Sequence, residues 1–197
     1  MLVIGLTGSL AMGKTTVTRM FAGEGAATYD ADVAVHALYR GEAVAPIEAA
    51  FPGTTKDGAV DRALLAERVA GDPAALSTVE RIVHPLVRKA EDAFRAKAAG
   101  EGRQVVVLDI PLLLETSGET RVDVVVVVSA GETIQRERIL SRAGLGPEKA
   151  AALLARQMPD KEKRARAHFI VDTSGELDAT RAQVRDVMRA LAGRPAG

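Results

Sequence analysis

The chain of 197 residues contains no cysteine, no tryptophan and no asparagine. The absence of cysteine excludes disulfides, thiolate zinc sites, iron–sulfur clusters and a cysteine nucleophile. Because aromatic residues make up only 3% of the chain, its core must consist mainly of Ala, Val, Leu and Ile. The three histidines, which are His36, His84 and His168, are too widely spaced to suggest a metal site made of histidine alone.

Charge of neither sign is in excess, since 26 Lys and Arg residues balance 26 Asp and Glu residues. This balance argues against a protein that binds nucleic acid through a general positive charge. The N-terminus lacks the basic segment of a signal peptide. The longest apolar run, Val122–Val128, contains Asp123 and is far too short to span a membrane. We therefore expect a single domain that is cytoplasmic and has no membrane or nucleic-acid partner.

Short apolar segments alternate with helical patterns along the chain. We predict strands at Leu2–Leu6, Ala26–Tyr29, Val105–Asp109, Val122–Val128 and Phe169–Val171. We predict helices from Gly13 to Gly23 and over Pro73–Ala99, Thr133–Ser141, Pro147–Met158 and Leu177–Leu191. Continuous apolar strands suit a parallel sheet that is covered on both faces. The alternation of strands and helices predicts an α/β fold of right-handed βαβ units.

The connection between about residues 33 and 104 is too long for a single helical crossover. We interpret its helical part, from about Asp61 to Gly100, as an insertion over one edge of the sheet. The predicted organisation is a core of about residues 1–35, 101–132 and 167–197, an insertion of about 36–100 and a lid of about 133–166.

Residues Gly8 to Thr15 read GSLAMGKT and match the phosphate-binding pattern G-x-x-x-x-G-K-[ST]. The motif follows a predicted strand and precedes a helix, where backbone N–H groups can bind a phosphate. Lys14 is expected to reach the β- and γ-phosphates, and the Thr15 hydroxyl is expected to hold Mg²⁺. The pattern therefore predicts that the chain binds a nucleoside triphosphate.

The motif leaves open what the protein does with the bound nucleotide. A GTPase switch would need an Asn-Lys-x-Asp motif, which a chain without asparagine cannot have. A large motor ATPase would need a longer chain. A small-molecule kinase and a nucleotide-dependent binding protein remain.

Two carboxylates follow predicted strands at the edge where ligands bind in open α/β sheets. Asp32 could orient and deprotonate the hydroxyl of an acceptor, as a kinase requires, or it could cap a helix. Asp109 could hold Mg²⁺, directly or through water. A cap or turn role for Asp109 is less favoured because Pro111 follows and no helix begins there.

His84 and Pro85 lie within the predicted helical insertion. The Pro85 ring is expected to kink or start a helix. The His84 side chain could contact a phosphate of the substrate, or it could make a hydrogen-bonded packing contact.

Residues 136–166 carry nine basic and four acidic side chains, although the whole chain is neutral. A basic helix–turn–helix is typical of a lid that neutralises a transferring phosphoryl group and excludes water. Arg138 and Arg142 share a helix face and are the candidates for this role. The basic residues of the segment Lys161–Arg166 are expected to form only a solvated surface.

Six segments together resemble dephospho-coenzyme A kinases and occur in that family's order as far as about residue 175. They are GLTGS…MGKTT at 5–16, YDAD at 29–32, IVHPLVR at 82–88, VVLDIPLLLE at 106–115, the Arg138/Arg142 pair, and RQMPDKEKRARAHFIVDTSG at 156–175. The phosphate loop by itself is generic. The D-A-D, L-D-I-P-L-L-L-E and Q-M-P…K-R-A-R-A segments are specific to the family.

The resemblance implies a P-loop NTPase fold, with a five-stranded parallel sheet flanked by helices, a helical substrate-binding insertion and a helical lid. It implies ATP-dependent phosphorylation of the ribose 3′-hydroxyl of dephospho-CoA, the final step of coenzyme A synthesis. Kinases of another small acceptor (a nucleoside, a nucleotide or shikimate) and an ATP-binding regulatory module without turnover are the alternatives. We expect a monomer or a weak homo-oligomer.

Carried over residue by residue, the resemblance makes Asp32 the catalytic base, with Lys14, Arg142 and neighbouring Arg138 stabilising charge. Candidate substrate-binding residues are Asp32, His84 and Asp109, and candidate Mg²⁺ ligands are Thr15 and Asp109. Candidate ATP-binding residues are Gly8, Ala11, Met12, Gly13, Lys14, Thr15 and Thr16.

The loop departs from the family pattern G-G-I-G-S-G-K, because Ser9, Ala11 and Met12 replace Gly, Gly and Ser. The loss of glycine at position 11 restricts positive φ angles there. Leu114 and Thr173 also stand where the family commonly has an aromatic residue and Asn.

Overall fold

The computed structural model describes residues 1–141 and 146–192. The chain divides into two compact units, one of Met1–Tyr29 with Ala98–Gly197 and one of Asp30–Lys97. The described helices and strands, in chain order, are β1 Leu2–Thr7, α1 Lys14–Gly23, β2 Ala27–Asp30, α2 Ala31–Leu38, α3 Val44–Ala50, β3 Thr55–Lys56, β4 Ala59–Val60, α4 Arg62–Val69, α5 Pro73–Gly100, β5 Val105–Asp109, β6 Val124–Ser129, α6 Glu132–Ser141, α7 Pro147–Leu154, α8 Asp160–Ala165, β7 Phe169–Asp172 and α9 Leu177–Leu191. A short 3₁₀ helix, Gly118–Arg121, precedes β6.

The first unit is built on a five-stranded parallel sheet with the strand order β2-β5-β1-β6-β7. The central strand β1 pairs in parallel with β5 on one side and with β6 on the other. Every residue of β1 and of β6 is buried, as the continuous apolar runs in the sequence predict. The predicted α/β fold with a parallel sheet is therefore confirmed.

Side chains that alternate along the strands pack into separate apolar clusters on the two faces of this sheet. On one face, Leu6 and Val126 belong to the main core with Phe21 of α1 and Val184 of α9. A second cluster forms from Val125 and Val127 of β6 with Leu113 and Leu114. The sheet is thus covered on both sides, which explains why its strands carry no polar alternation.

The second unit has its own hydrophobic core. The core residues come from α2 to α5 and from the antiparallel hairpin β3–β4, and they are Leu38, Ala43, Ile47, Phe51, Val60, Leu65, Val79 and Val83. Three aspartates cap helices here, because Asp30 accepts hydrogen bonds from the first turn of α2, Asp61 from that of α4 and Asp72 from that of α5. This unit is therefore a separately packed, mainly helical structure.

Most predicted element positions are confirmed to within one or two residues, but several details differ. The helix predicted over Pro73–Ala99 is α5, and a further helix that was not predicted, α4, precedes it; Gly71 with φ 74° lies in the turn between them. The helix predicted at Pro147–Met158 ends at Leu154. The sequence interpretation missed α2, α3, the β3–β4 hairpin and α8, which are all short.

Pro85 lies inside α5, which continues from Pro73 to Gly100. It therefore does not start a helix. A proline at this position leaves the carbonyl of Arg81 without its usual helical N–H donor. Within residues 1–141 and 146–192, each helix is too short or too polar to cross a lipid bilayer.

We expect Gly8→Ala to destabilise the protein, because a Cβ at residue 8 would lie 2.6 Å from the backbone oxygen of Val128 on β6. The overpacking should lower the free energy of unfolding by about 2 kcal/mol. Gly23→Ala is the matched control, since nothing lies within 4 Å of its added Cβ. Urea denaturation checks both variants, and a Gly8→Ala protein as stable as the wild type would contradict the close packing of the loop on β6.

Candidate active site

The phosphate loop connects the end of β1 to the start of α1. Gly13 is the N-cap of α1 and has φ 90°, a left-handed conformation that glycine adopts without strain. The Thr16 and Val17 amides donate to the Gly13 carbonyl at 3.0 and 3.2 Å, so the amides of Lys14 and Thr15 are the ones that α1 can offer to a phosphate. Of the predicted loop ligands, Thr15 and Thr16 are exposed, and Lys14 is partly buried.

Ala11 adopts the left-handed conformation with φ 63°, although it is not a glycine. For a residue with a Cβ, this conformation costs roughly 1–2 kcal/mol. The loop thus keeps a backbone shape that glycine would favour, even though the sequence has lost the glycine. Other contacts must compensate for this strain.

Met12 anchors the loop to the core through its side chain, which is 1% exposed. Its Sδ accepts a hydrogen bond from the Ala130 N–H at 3.1 Å, and its carbonyl accepts one from Thr173 Oγ1 at 2.7 Å. The buried side chain of Met12 faces the core, and its N–H donates to the Ser9 carbonyl at 3.2 Å within the loop.

Lys14 and Asp109 form an ion pair at the carboxyl ends of β1 and β5. The second carboxylate oxygen of Asp109 accepts a hydrogen bond of 2.7 Å from the Thr18 hydroxyl. The Asp109 side chain is only 3% exposed. The carboxylate therefore faces side chains of α1 and caps none of the described helices.

The sequence interpretation missed Thr18, which orients Asp109. A signal was available, because Thr18 follows Lys14 by four residues and so lies on the same face of α1.

The oxygen atoms near the loop suit magnesium chemistry. Asp109 offers a carboxylate, and Thr15 offers an exposed hydroxyl. Among the described residues, no cluster of three or more His, Cys, Asp or Glu side chains could hold a metal ion. Mg²⁺ needs few protein ligands when phosphates and water complete its coordination, so these donors fit it.

Arg138 of α6 lies beside the loop and binds Thr173, the residue that also holds Met12. Its two terminal nitrogens donate to Thr173 Oγ1 at 3.1 Å and to the Thr173 carbonyl at 2.6 Å. The adjoining turn is stabilised by Asp172, because hydrogen bonds from Ser174 lower the pKa of the Asp172 carboxyl. The turn after β7 is thus tied to both α6 and the loop.

A cavity of about 330 Å³ opens beside these residues. Its lining residues are Gly13, Thr16, Arg138, Thr173, Gly175, Leu177 and Thr180. The sequence interpretation identified Arg138 but missed Thr173, Gly175, Leu177 and Thr180 as neighbours of the loop. They lie more than 150 residues away in the chain. The family segment ending at residue 175 was a signal for Thr173 and Gly175, whereas Leu177 and Thr180 lie beyond it.

Of the three predicted substrate-binding residues, Asp32 and His84 belong to the second unit and Asp109 to the first. Asp32 lies in the first turn of α2, and the cap of this helix is Asp30, whose Oδ1 accepts from the N–H groups of Asp32 and Val33. The alternative that Asp32 is the N-cap is therefore wrong. His84 is exposed on α5, which argues against a packing role. Arg142 lies outside the described residues.

One basic residue of the segment Lys161–Arg166 contradicts the expectation of a solvated surface. Lys163 is fully buried, and its Nζ lies 2.8 Å from Glu115 Oε1. It also donates a hydrogen bond to the Pro111 carbonyl at 3.3 Å. The charge pattern alone could not reveal this, because a buried ion pair needs a partner distant in sequence.

Comparisons with known proteins show which family the chain is similar to. The family model described as dephospho-CoA kinase matches residues 2–179. A relative from Rhodopseudomonas palustris (strain HaA2), named dephospho-CoA kinase, is 56% identical over 195 residues, covering 99% of this chain and 98% of the relative. One from Brucella melitensis with the same name is 53% identical over 196 residues, covering 100% and 98%.

A solved structure from Thermus thermophilus has the same fold, with a TM-score of 0.84 and 31% identity over 98% of both chains. The chain is thus similar to these proteins in sequence and in fold over nearly its whole length, which includes the phosphate loop and the turn after β7. The chain belongs to the dephospho-CoA kinase family.

Proposed function

We propose that this protein transfers the γ-phosphoryl group of ATP to the ribose 3′-hydroxyl of dephospho-CoA, giving coenzyme A and ADP. The observation that carries the proposal is the phosphate loop with its Lys14–Asp109 pair, in a chain that matches the family over residues 2–179. We further expect the enzyme to act in the cytoplasm on small molecules, as a monomer or weak homo-oligomer.

The triphosphate of ATP would bind at the N-terminus of α1. There the free amides of the helix and the Lys14 ammonium supply positive charge. Lys14 contacts Asp109 in the described structure, and phosphate oxygens would compete with the carboxylate for this ammonium. The Asp109 carboxylate, still held by Thr18, would then be available to a magnesium ion.

Thr15 and Asp109 would hold Mg²⁺, directly or through water. The ion would neutralise charge on the β- and γ-phosphates. Lys14 and the amides of α1 stabilise the same oxygens and fix them relative to the attacking group.

The nucleoside of ATP would occupy the cavity beside Arg138. The cavity combines a planar guanidinium, the exposed apolar side chain of Leu177 and hydroxyl groups, which suits a flat heterocycle. Because both terminal nitrogens of Arg138 bind Thr173, the guanidinium plane is held in one orientation.

Asp32 would accept the proton of the 3′-hydroxyl while the hydroxyl oxygen attacks the γ-phosphorus. The bond between that phosphorus and the bridging β–γ oxygen breaks, and ADP leaves. Lys14 and Arg142 would stabilise the negative charge on the transferring group. His84 would contact a phosphate of the acceptor from its exposed position on α5.

A coupled assay of ADP release tests the proposed reaction. We expect dephospho-CoA to stimulate ADP release strongly, with a product of the mass of coenzyme A, while adenosine, AMP and shikimate do not. Equal stimulation by one of these controls would point to a different acceptor. ATP binding without turnover on any acceptor would favour a regulatory module.

We expect Asp32→Asn to lower kcat by at least about 100-fold, because the variant cannot accept the proton of the hydroxyl. The KM for ATP should change little. Asp30→Asn is the matched control, since asparagine also caps helices well and only the charge is removed. Steady-state kinetics check both variants, and an Asp32→Asn enzyme with normal kcat would exclude Asp32 as the base.

We expect Arg138→Met to raise the KM for ATP about tenfold, because it removes charged hydrogen bonds that order the cavity. The KM for dephospho-CoA should change less. Arg136→Met on the same helix is the control, since Arg136 is exposed and lines no part of the cavity. Equal effects of the two substitutions on the KM for ATP would contradict the nucleoside site.

A further inference from the structure

Two glutamine side chains hold the backbone of Leu10, the third residue of the phosphate loop. Gln157 Oε1 accepts a hydrogen bond from the Leu10 N–H at 2.9 Å. Gln135 Nε2 donates one to the Leu10 carbonyl at 2.7 Å. Gln135 belongs to α6, and Gln157 lies between α7 and α8, so both polar backbone groups of one loop residue are bound by distant elements.

These contacts lie directly before the strained residue of the loop. Ala11 has φ 63°, and a rotation of its backbone to a negative φ would relieve the strain. Such a rotation must move a neighbouring peptide unit. Met12 is anchored on the other side by Thr173 and Ala130. Ala11 is thus held between two fixed residues.

Both glutamines are themselves fixed by their surroundings. Gln135 is only 9% exposed. The residue after Gln157 is held by Glu115, whose Oε1 accepts from the Met158 N–H at 2.8 Å. Glu115 also pairs with the buried ammonium of Lys163. The segment that presents Gln157 is therefore attached to a buried ion pair and cannot shift freely.

We propose that Gln135 and Gln157 are positioning residues that hold the phosphate loop in its ATP-binding shape. Their hydrogen bonds compensate for the backbone strain at Ala11, which a glycine at that position would not have. The inference rests on the proposed function in one respect, namely that this loop binds the phosphates of ATP. Neither glutamine needs to touch the nucleotide, because each acts through the backbone of Leu10.

This role couples position 157 to position 11. With Ala11, loss of the Gln157 acceptor lets the loop relax away from its strained shape. With glycine at position 11, the left-handed conformation carries no steric penalty, so the loop can keep its shape without the two glutamine contacts. A side chain that only stabilised the overall fold would show no such dependence on the residue at position 11.

The test is a double-mutant cycle of Gln157→Met and Ala11→Gly, with ATP binding measured by calorimetry and kinetics measured with dephospho-CoA. We expect Gln157→Met alone to weaken ATP binding about tenfold and to change the KM for dephospho-CoA less than about threefold. In the Ala11→Gly protein, the same substitution should weaken ATP binding less than about threefold. Gln104→Met is the control and should change neither constant, because the Gln104 side chain bonds the Gly102 carbonyl at the amino end of β5, away from the loop.

If Gln157→Met weakens ATP binding equally in the wild-type and in the Ala11→Gly background, the inference is overturned. The proposed function would still hold in that case, provided that the wild-type protein turns over dephospho-CoA. Absence of ATP binding by the wild-type protein would instead contradict the proposed function. Thermal unfolding identifies variants that do not fold. If Gln157→Met is one of them, Gln135→Met replaces it in the cycle, with the same expected dependence on the residue at position 11.

Discussion

The pairing of β1 with a parallel strand on each side is the constraint on which the candidate active site depends. In this register Leu6 pairs with Asp109, and Thr7 pairs with Val127. The carboxyl ends of β1, β5 and β6 therefore meet at one edge of the sheet, where the phosphate loop begins. The pairing places Asp109 where Lys14 and Thr18 of α1 can bind it, although these residues are more than 90 positions apart in the chain.

The phosphate loop shows how tertiary contacts can maintain a backbone shape that the local sequence disfavours. Gly8 lies directly against β6, and Gly13 has the positive φ of a helix cap, so these two glycines meet local needs. Ala11 adopts a conformation that is costly for any residue with a Cβ. The buried side chain of Met12 and the hydroxyl of Thr173 fix the loop beside it, so the energy of packing opposes the strain.

Burial of Lys163 helps to hold the chain that follows Asp109 in place. A buried ammonium is tolerated only when it is paired, and here Glu115 and the Pro111 carbonyl satisfy it. Pro111 also accepts a hydrogen bond from the Thr7 hydroxyl at 3.0 Å. The chain that follows Asp109 is thus joined to β1 and to α8, and the position of Asp109 does not depend on its own strand alone.

The parallel sheet, the place of the phosphate loop and the family could all be predicted from the sequence, because each is indicated by short segments of consecutive residues. Apolar runs mark β1, β5 and β6, and a helix begins at Lys14, where the motif ends in Lys14-Thr15. Short elements such as α2 and α8 were missed, since a few residues carry too little periodicity. The folded structure was needed to establish that Asp30 rather than Asp32 caps α2, since both aspartates suit a cap. It also brought Thr173 to the loop and buried Lys163, because such contacts join residues that only folding makes neighbours.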